Sequence, residues 1–491
     1  MAEVRPTGGA GRRPAPVPGP SEVPQYGYGW AVYVLAAVVS VVVAYVIFKL
    51  HYTYGQAPHR IIKMMVGLVV LLVVTFRPKL SLYIWLLAIP IGEWLPATGI
   101  PGLNGPNLLL TVMVLSWVLP RIMRRERLLS PTRLRGPVAA YLAIIVMSLV
   151  RGWLFPPGPG YNGFQMMKSV WQVGLGFAVY FVAANVVPDR EETKRLLMTF
   201  AAGSSIGALI AVRQFMGIAA HKRVAGAMGD INDLGAYFAM TAAALIALFL
   251  TTGAFHRFKR LFIGAAAGLA SFGVMVPKSR GGYVGVVAGV GVLAYLIDKR
   301  AAIIFAIIIA LSPVWAPDFV KERVAETRVE SFEADVYGDT TDTLDPSAGV
   351  RLEVWKAIGR ASVRSPIVGF GYGSVPYLTA GALSRPFSAH SLYFATLGES
   401  GLIGVAVLAW LIISLFASGR ELLRVATTRL NRGLAIAFLG ATVALLMANV
   451  FGQRFTHISI AGSFFFLAGL VDRNIQIERT DSPPAAAEEG R

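Results

Sequence analysis

Residues 389–417, AHSLYFATLGESGLIGVAVLAWLIISLFA, decide how this chain folds. From Ser391 to Ala417 the run is apolar on every side, and a bilayer core needs a helix of ~20 such residues. A helix on a soluble core would carry a polar stripe instead. His390 stands just before the run, where a long polar loop meets the apolar segment, and an imidazole there takes a proton near neutral pH. Glu399 lies inside the run, at a depth where an ionisable group is costly and functional by default.

Similar runs recur at roughly 30–48, 61–76, 80–96, 106–120, 137–155, 170–187, 196–216, 234–252, 261–276, 281–297, 301–316, 433–452 and 455–471. Several are short and broken by Pro90, Pro96 or Pro101, as re-entrant segments are. Hydrophobic residues make up 55% of the chain and charged ones 15%, far from the balance of a soluble domain. The predicted fold is an all-α polytopic membrane protein of about 14 (12–14) transmembrane helices with one large external loop containing interfacial helices. Its expected divisions are a disordered Pro/Gly-rich cytoplasmic tail (1–29), an N-terminal transmembrane bundle (30–316), a large periplasmic loop (317–390), C-terminal transmembrane helices (391–471) and a second disordered cytoplasmic tail (472–491).

The net charge of +18 suggests nucleic acid until its distribution is considered. Lys and Arg gather in short connections such as 121–135, 257–260 and 420–432. That is the pattern that orients a membrane protein with its basic loops inside, so both termini are expected in the cytoplasm and no nucleic-acid partner is implied. One connection, 49–60, is mildly basic on the outer side and fits this topology badly. The chain has no cysteine, which removes disulfides and thiolate metal sites.

The 317–390 loop opens with a cluster of acids and is aqueous there. Residues 348–363 then place Val350, Val354 and Ile358 at helical spacing with Trp355 beside them, the pattern of a helix lying at the membrane interface. Pro366 ends it, and the glycines at 369, 371 and 373 read as a flexible turn.

Four groups on the outer side are polar without a topological need: Arg223 to Gly226 with Asn232, the Lys278-Ser279-Arg280 turn, Arg351 one helical turn before Trp355, and His390-Ser391. Arginine offers a rigid, permanently charged fork that grips phosphate oxygens in pairs. Several such forks converging outside the membrane would bind a lipid-linked pyrophosphate.

These pieces in this order resemble the O-antigen ligase and O-antigen polymerase superfamily. These are polytopic glycosyltransferases using undecaprenyl-diphosphate-linked glycans. The resemblance covers roughly residues 200–470: Arg223-x-x-Gly226 with Asn232, Ser279-Arg280-Gly281, Arg351-x-x-x-Trp355 leading to Pro366-x-x-Gly369-x-Gly371, and His390-Ser391 before Glu399-x-Gly401-x-x-Gly404. Family members more often carry Asn where this chain has Ser391. The resemblance implies an inverting transfer on the periplasmic face of the bacterial inner membrane, in surface polysaccharide biosynthesis, as polymerase or ligase. By the same analogy Arg223 and Arg280 grip the donor diphosphate, Arg351 supports donor or acceptor, and His390 acts as base or orients the acceptor. Asn232, Ser391, Glu399 and Trp355 are supporting residues. No metal or other cofactor is expected. The implied partners are a lipid-linked oligosaccharide donor, a glycan, lipid or protein acceptor, membrane lipids, and polysaccharide assembly or export proteins. The rival reading is a flippase or exporter of the same lipid-linked sugars.

Glu399 is not expected to pair with His390. In an unbroken helix, nine residues put the two on opposite faces and ~13 Å apart along the axis. Packing through Gly401 and Gly404, where small residues let backbones approach, is the expected role of that stretch. His457, Gln453 and Arg454 in the last outer turn are further candidates for the same cavity. The glycines at 281, 282, 285, 289 and 291 read as close helix packing, since no strand precedes them as a nucleotide loop would need.

Overall fold

The bundle begins, among the residues that the structure describes, where Pro78 starts a helix whose first turn needs no N–H from it. This structure is a computed structural model, and it describes residues 77–94, 105–126, 129, 131–217, 223–251, 253, 255–325, 346–383 and 385–481. The tail expected at 1–29 and the spans expected at 30–48 and 61–76 lie outside the described residues.

In chain order the helices are α1 (Pro78–Ala88), α2 (Gly105–Met123), α3 (Arg135–Leu154), α4 (Gly163–Val186), α5 (Arg190–Met216), α6 (Ile231–Thr251), α7 (Arg257–Met275), α8 (Arg280–Ile297) and α9 (Lys299–Ala310). After them come the short α10 (Ser312–Trp315), then α11 (Asp318–Ala325), α12 (Pro346–Ser362), α13 (Val375–Leu383), α14 (Leu392–Val425), α15 (Arg429–Val450) and α16 (Ile458–Asp481). Capping side chains start several of them: Asn162 accepts the Gln165 N–H at 3.1 Å, Asp189 that of Glu192 at 2.8 Å, and Thr428 that of Asn431 at 3.2 Å.

Among the described residues, 10 helices are long and apolar enough to cross a membrane: α2 to α8 and α14 to α16. The fold is all-α and polytopic, but two expected spans take other forms. The 80–96 segment becomes α1 and a 3-10 turn from Ile89 to Trp94. The 301–316 segment becomes the 12-residue α9 followed by α10, and neither buries a residue.

The centre of the bundle is α6, α15 and α16, flanked by α4 and α8. The glycines of α8 let it approach α15 closely, as the sequence suggested. A Cβ at Gly289 would stand 2.7 Å from the carbonyl oxygen of Gly440, and one at Gly285 would stand 2.8 Å from that of Ala444.

At one end of the bundle α16 corrects an expectation. It runs to Asp481, ten residues beyond the expected span end at 471, so 472–481 is helix and not disordered tail. Three of its polar residues, Asp472, Asn474 and Glu478, are buried. Glu478 accepts from the Thr427 hydroxyl at 2.6 Å and Asn431 Nδ2 at 2.7 Å, and pairs with Arg190 at 3.1 Å. Asp472 accepts from the Tyr180 hydroxyl at 2.6 Å. Fixed donors of this kind are what allow acids to remain in a helical interior.

At the other end, α12 forms where the periodicity placed it, but its apolar face is turned inward. Val354 and Ile358 join Val375, Ala389 and Ala395 in a second small core, with Val350, Trp355, Phe387 and Phe394 packed against it. Protein therefore occupies the face expected to meet the membrane interface. The same end carries the break in α14. Gly401 has φ 62° and ψ −159°, values closed to a side chain, and the helix changes course there.

Candidate active site

The connections at this second end meet in one cleft of about 550 Å³. Its walls are Arg223, Asn232, Ala236, Ser279, Arg280, Gly281, Arg323, Arg351, Ala448, Phe451 and Arg454.

The turn between α7 and α8 is the scaffold. Lys278 takes a left-handed conformation with φ 51°, which turns the chain sharply into α8. Ser279 caps α8 by accepting the Gly282 N–H at 3.4 Å, and its hydroxyl donates to Asn232 Oδ1 at 3.1 Å. That bond ties the start of α8 to the start of α6. Asp230 holds the latter by accepting the N–H groups of Asn232 and Asp233 at 2.8 and 2.9 Å. Arg280 follows Ser279 as the first residue of α8.

Arg223 donates to the carbonyls of Pro277 and Lys278 at 3.3 and 3.2 Å, and Arg323 of α11 donates to the same Lys278 carbonyl at 3.3 Å. Two guanidiniums are thus anchored on one turn beside a third. Partial dehydration, and then the charges of Arg323 and Arg280, hold the pKa of Arg223 below its ordinary value. On the opposite wall, Arg454 is buried against Asp233 and has Asp230 at 4.0 Å. Its own N–H donates to Asn449 Oδ1 at 2.8 Å. His457 Nε2 stands 4.0 Å from Asp233.

His390 is not among the residues lining the cleft; it takes φ 45°, a left-handed turn immediately before α14. Trp355 braces that turn: its indole N–H donates to the Ala389 carbonyl at 2.9 Å, and its ring stacks on Phe394 at 4.9 Å. Solvent reaches the imidazole. The packing around it nevertheless dehydrates the charged form, and this effect, followed by Arg351 and Arg454, lowers its pKa below the usual 6.5. Asp230 acts in the opposite sense. At neutral pH His390 is therefore an unprotonated base beside two arginines.

The cleft thus brings together Arg223, Asn232, Arg280 and Arg351, and Arg351 and Arg454 act electrostatically on His390. Ser391 is buried beneath His390, at the start of α14, and makes no side-chain cap there. Glu399 lies apart. It lines a separate small cavity with Tyr141, Tyr372, Thr396 and Gln453, and its carboxyl group accepts from the Gly373 N–H. Among the described residues, no three His, Asp or Glu side chains gather as metal ligands.

Two cleft residues escaped the roles drawn from sequence. Arg323 lies beside the acid-rich stretch and read as part of an aqueous loop. Arg454 was noted only as a candidate in the last turn. Their signal was arginine itself, on the same side as the other three.

Residues 265–409 match the family model described as "O-Antigen ligase", a segment running from α7 through the cleft turn and His390 into α14. The resemblance to O-antigen ligases holds over that segment. No curated protein matches the chain. One solved structure, described as "Structural coordination of polymerization and crosslinking by a peptidoglycan synthase complex", contains a chain with 16% identity to this one. The likeness covers 70% of this chain and 97% of that one at a TM-score of 0.36. The protein is a multi-pass membrane protein in which the segment similar to O-antigen ligases supports a membrane glycan-transfer role in polysaccharide synthesis.

Proposed function

We propose that the protein is a glycosyltransferase of the bacterial inner membrane. It would transfer an undecaprenyl-diphosphate-linked oligosaccharide to a glycan, lipid or protein acceptor on the periplasmic face. One observation carries the reading: five arginines line a single cleft, and two of them, Arg351 and Arg454, act electrostatically on His390.

In this reading Arg223 and Arg280 hold the donor diphosphate, and Arg323 completes the grip on the same turn. An acceptor hydroxyl attacks the anomeric carbon while His390 takes its proton. The bond from that carbon to the diphosphate oxygen breaks, the electron pair leaves with the lipid diphosphate, and the configuration inverts. The leaving group gains negative charge as the bond breaks, and fixed guanidiniums aimed at it stabilise that charge without reorganising. Arginine thereby does the electrostatic work that a divalent ion does in other glycosyltransferases. Arg351 and Arg454 line the same cleft and act on the base electrostatically. Trp355 positions His390 through the Ala389 carbonyl and touches no reacting atom.

The test is purified protein in vesicles, supplied with a lipid-linked oligosaccharide and candidate acceptors. Glycan transfer with release of lipid diphosphate is expected. Movement of labelled donor across the bilayer with no transfer would establish the exporter reading instead.

A further inference from the structure

The break in α14 is filled by another part of the chain. The N–H groups of Leu402 and Ile403 donate to the carbonyls of Pro366 and Ile367 at 2.8 and 3.2 Å. In return, the carbonyls of Gly398 and Glu399 accept from the N–H groups of Phe370 and Gly371, both at 2.9 Å. The fit leaves no room for side chains. A Cβ at Gly369 would stand 2.5 Å from the carbonyl carbon of Glu399, and one at Gly401 would stand 2.5 Å from that of Ile367. The segment expected to be a flexible turn is instead zipped along a spanning helix. Pairing of every backbone group is what irregular chain requires when water is scarce.

The side chains of the zipped segment point away from the protein. Val363, Ile367 and Val368 are 77%, 60% and 47% exposed. They adjoin Leu402 and Ile403 of α14, which are 56% and 42% exposed. Arg360 and Arg364, also exposed, stand at the edge of this patch.

We infer that residues 360–368 are seated in the bilayer, with Val363, Ile367 and Val368 among the acyl chains and Arg360 and Arg364 on headgroup phosphates. Two features choose lipid as the occupant. The patch continues the apolar surface of α14, a helix of 34 residues with the composition of a span, so whatever covers Leu402 and Ile403 covers Ile367 as well. The arginines lie at its rim, where side chains with long apolar stems reach phosphate while their carbons stay in the apolar layer. The amphipathic face of α12 is already taken by protein, whereas this hook leaves its apolar side chains uncovered. It also anchors, in lipid, the chain that leads from Arg351 and Trp355 to the start of α14.

The chain contains no cysteine, so single introduced thiols can be labelled without removing others. Nitroxides at Ile367→Cys, Val368→Cys and Leu402→Cys in phosphatidylglycerol/phosphatidylethanolamine vesicles should collide with oxygen more often than with a water-soluble nickel chelate. A label at Glu353→Cys, on the exposed face of α12, should show the reverse order. Nickel access at Ile367 equal to that at Glu353 would place the hook in water and overturn the inference. Protection from both reagents would mean a protein partner and would overturn it equally. Arg360→Gln with Arg364→Gln should raise nickel access at Ile367 at least twofold, and unchanged access would remove the phosphate contact. These readings need no catalysis, so they stand or fall apart from the proposed transfer reaction.

Discussion

The two ends of the bundle both carry many charges but use them differently. At the end formed by the start of α5 and the tail of α16, each buried acid is matched by a fixed donor. Glu478 is held by Thr427, Asn431 and Arg190, and Glu421 lies between Arg133 and Arg479. At the cleft end, five arginines share one wall system with two nearby acids, Asp230 and Asp233, both of which lean on Arg454. Arg223 and Arg323 donate to backbone carbonyls, which fix their direction. A charge spent on a partner holds structure.

Substitutions at the two ends should therefore separate activity from stability. Arg280→Ala should lower glycan transfer by roughly 10²–10³-fold, the loss typical of removing one fixed donor to a developing negative charge. Its thermal unfolding in detergent should stay close to that of wild type. Glu478→Ala, at the other end, should destabilise by roughly 1–3 kcal/mol, because it leaves the Thr427 and Asn431 donors without an acceptor, while Arg190 keeps Asp481. The fraction that remains folded should transfer glycan normally. If Arg280→Ala unfolded the protein as readily as Glu478→Ala, the contrast would be lost.

Smaller changes sharpen the contrast within the cleft end. Trp355→Phe keeps the stack on Phe394 and removes the hydrogen bond to Ala389, a bond worth about 1 kcal/mol. It should lower kcat by roughly 2–10-fold with the donor KM unchanged. A change in KM alone would mean that Trp355 serves binding instead. The smallest effect expected is on pH dependence. Because dehydration, Arg351 and Arg454 lower the pKa of His390, the base is neutral at pH 7, and transfer should fall only as pH drops below 6.5. Arg351→Gln removes one lowering charge, so the acid limb of kcat/KM should move upward, toward 6.5. A downward move would contradict the assignment.

The bundle was legible because a span of some twenty apolar residues has no soluble counterpart. The end of α16 was not: Asp472 and Glu478 look solvated until Tyr180, Thr427 and Asn431, far away in sequence, supply their donors. Arg223, Arg280 and Arg351 stood out as arginines on the side where basic residues are scarce. Arg323 was hidden by the acids that follow it. The hook at 360–368 was missed for a related reason. Its glycines at 369 and 371 suggest flexibility, whereas their purpose is close approach to Gly401 and Gly152, which no local pattern encodes.

The central claim is that the arginines hold the donor and His390 moves the proton. It is tested most directly by measuring donor binding and glycan transfer on one preparation of His390→Ala. Affinity for the lipid diphosphate within about threefold of wild type, with transfer reduced by roughly 10²–10⁴-fold, is the expected result. Transfer at the wild-type rate, or loss of donor binding together with transfer in a folded protein, would contradict it.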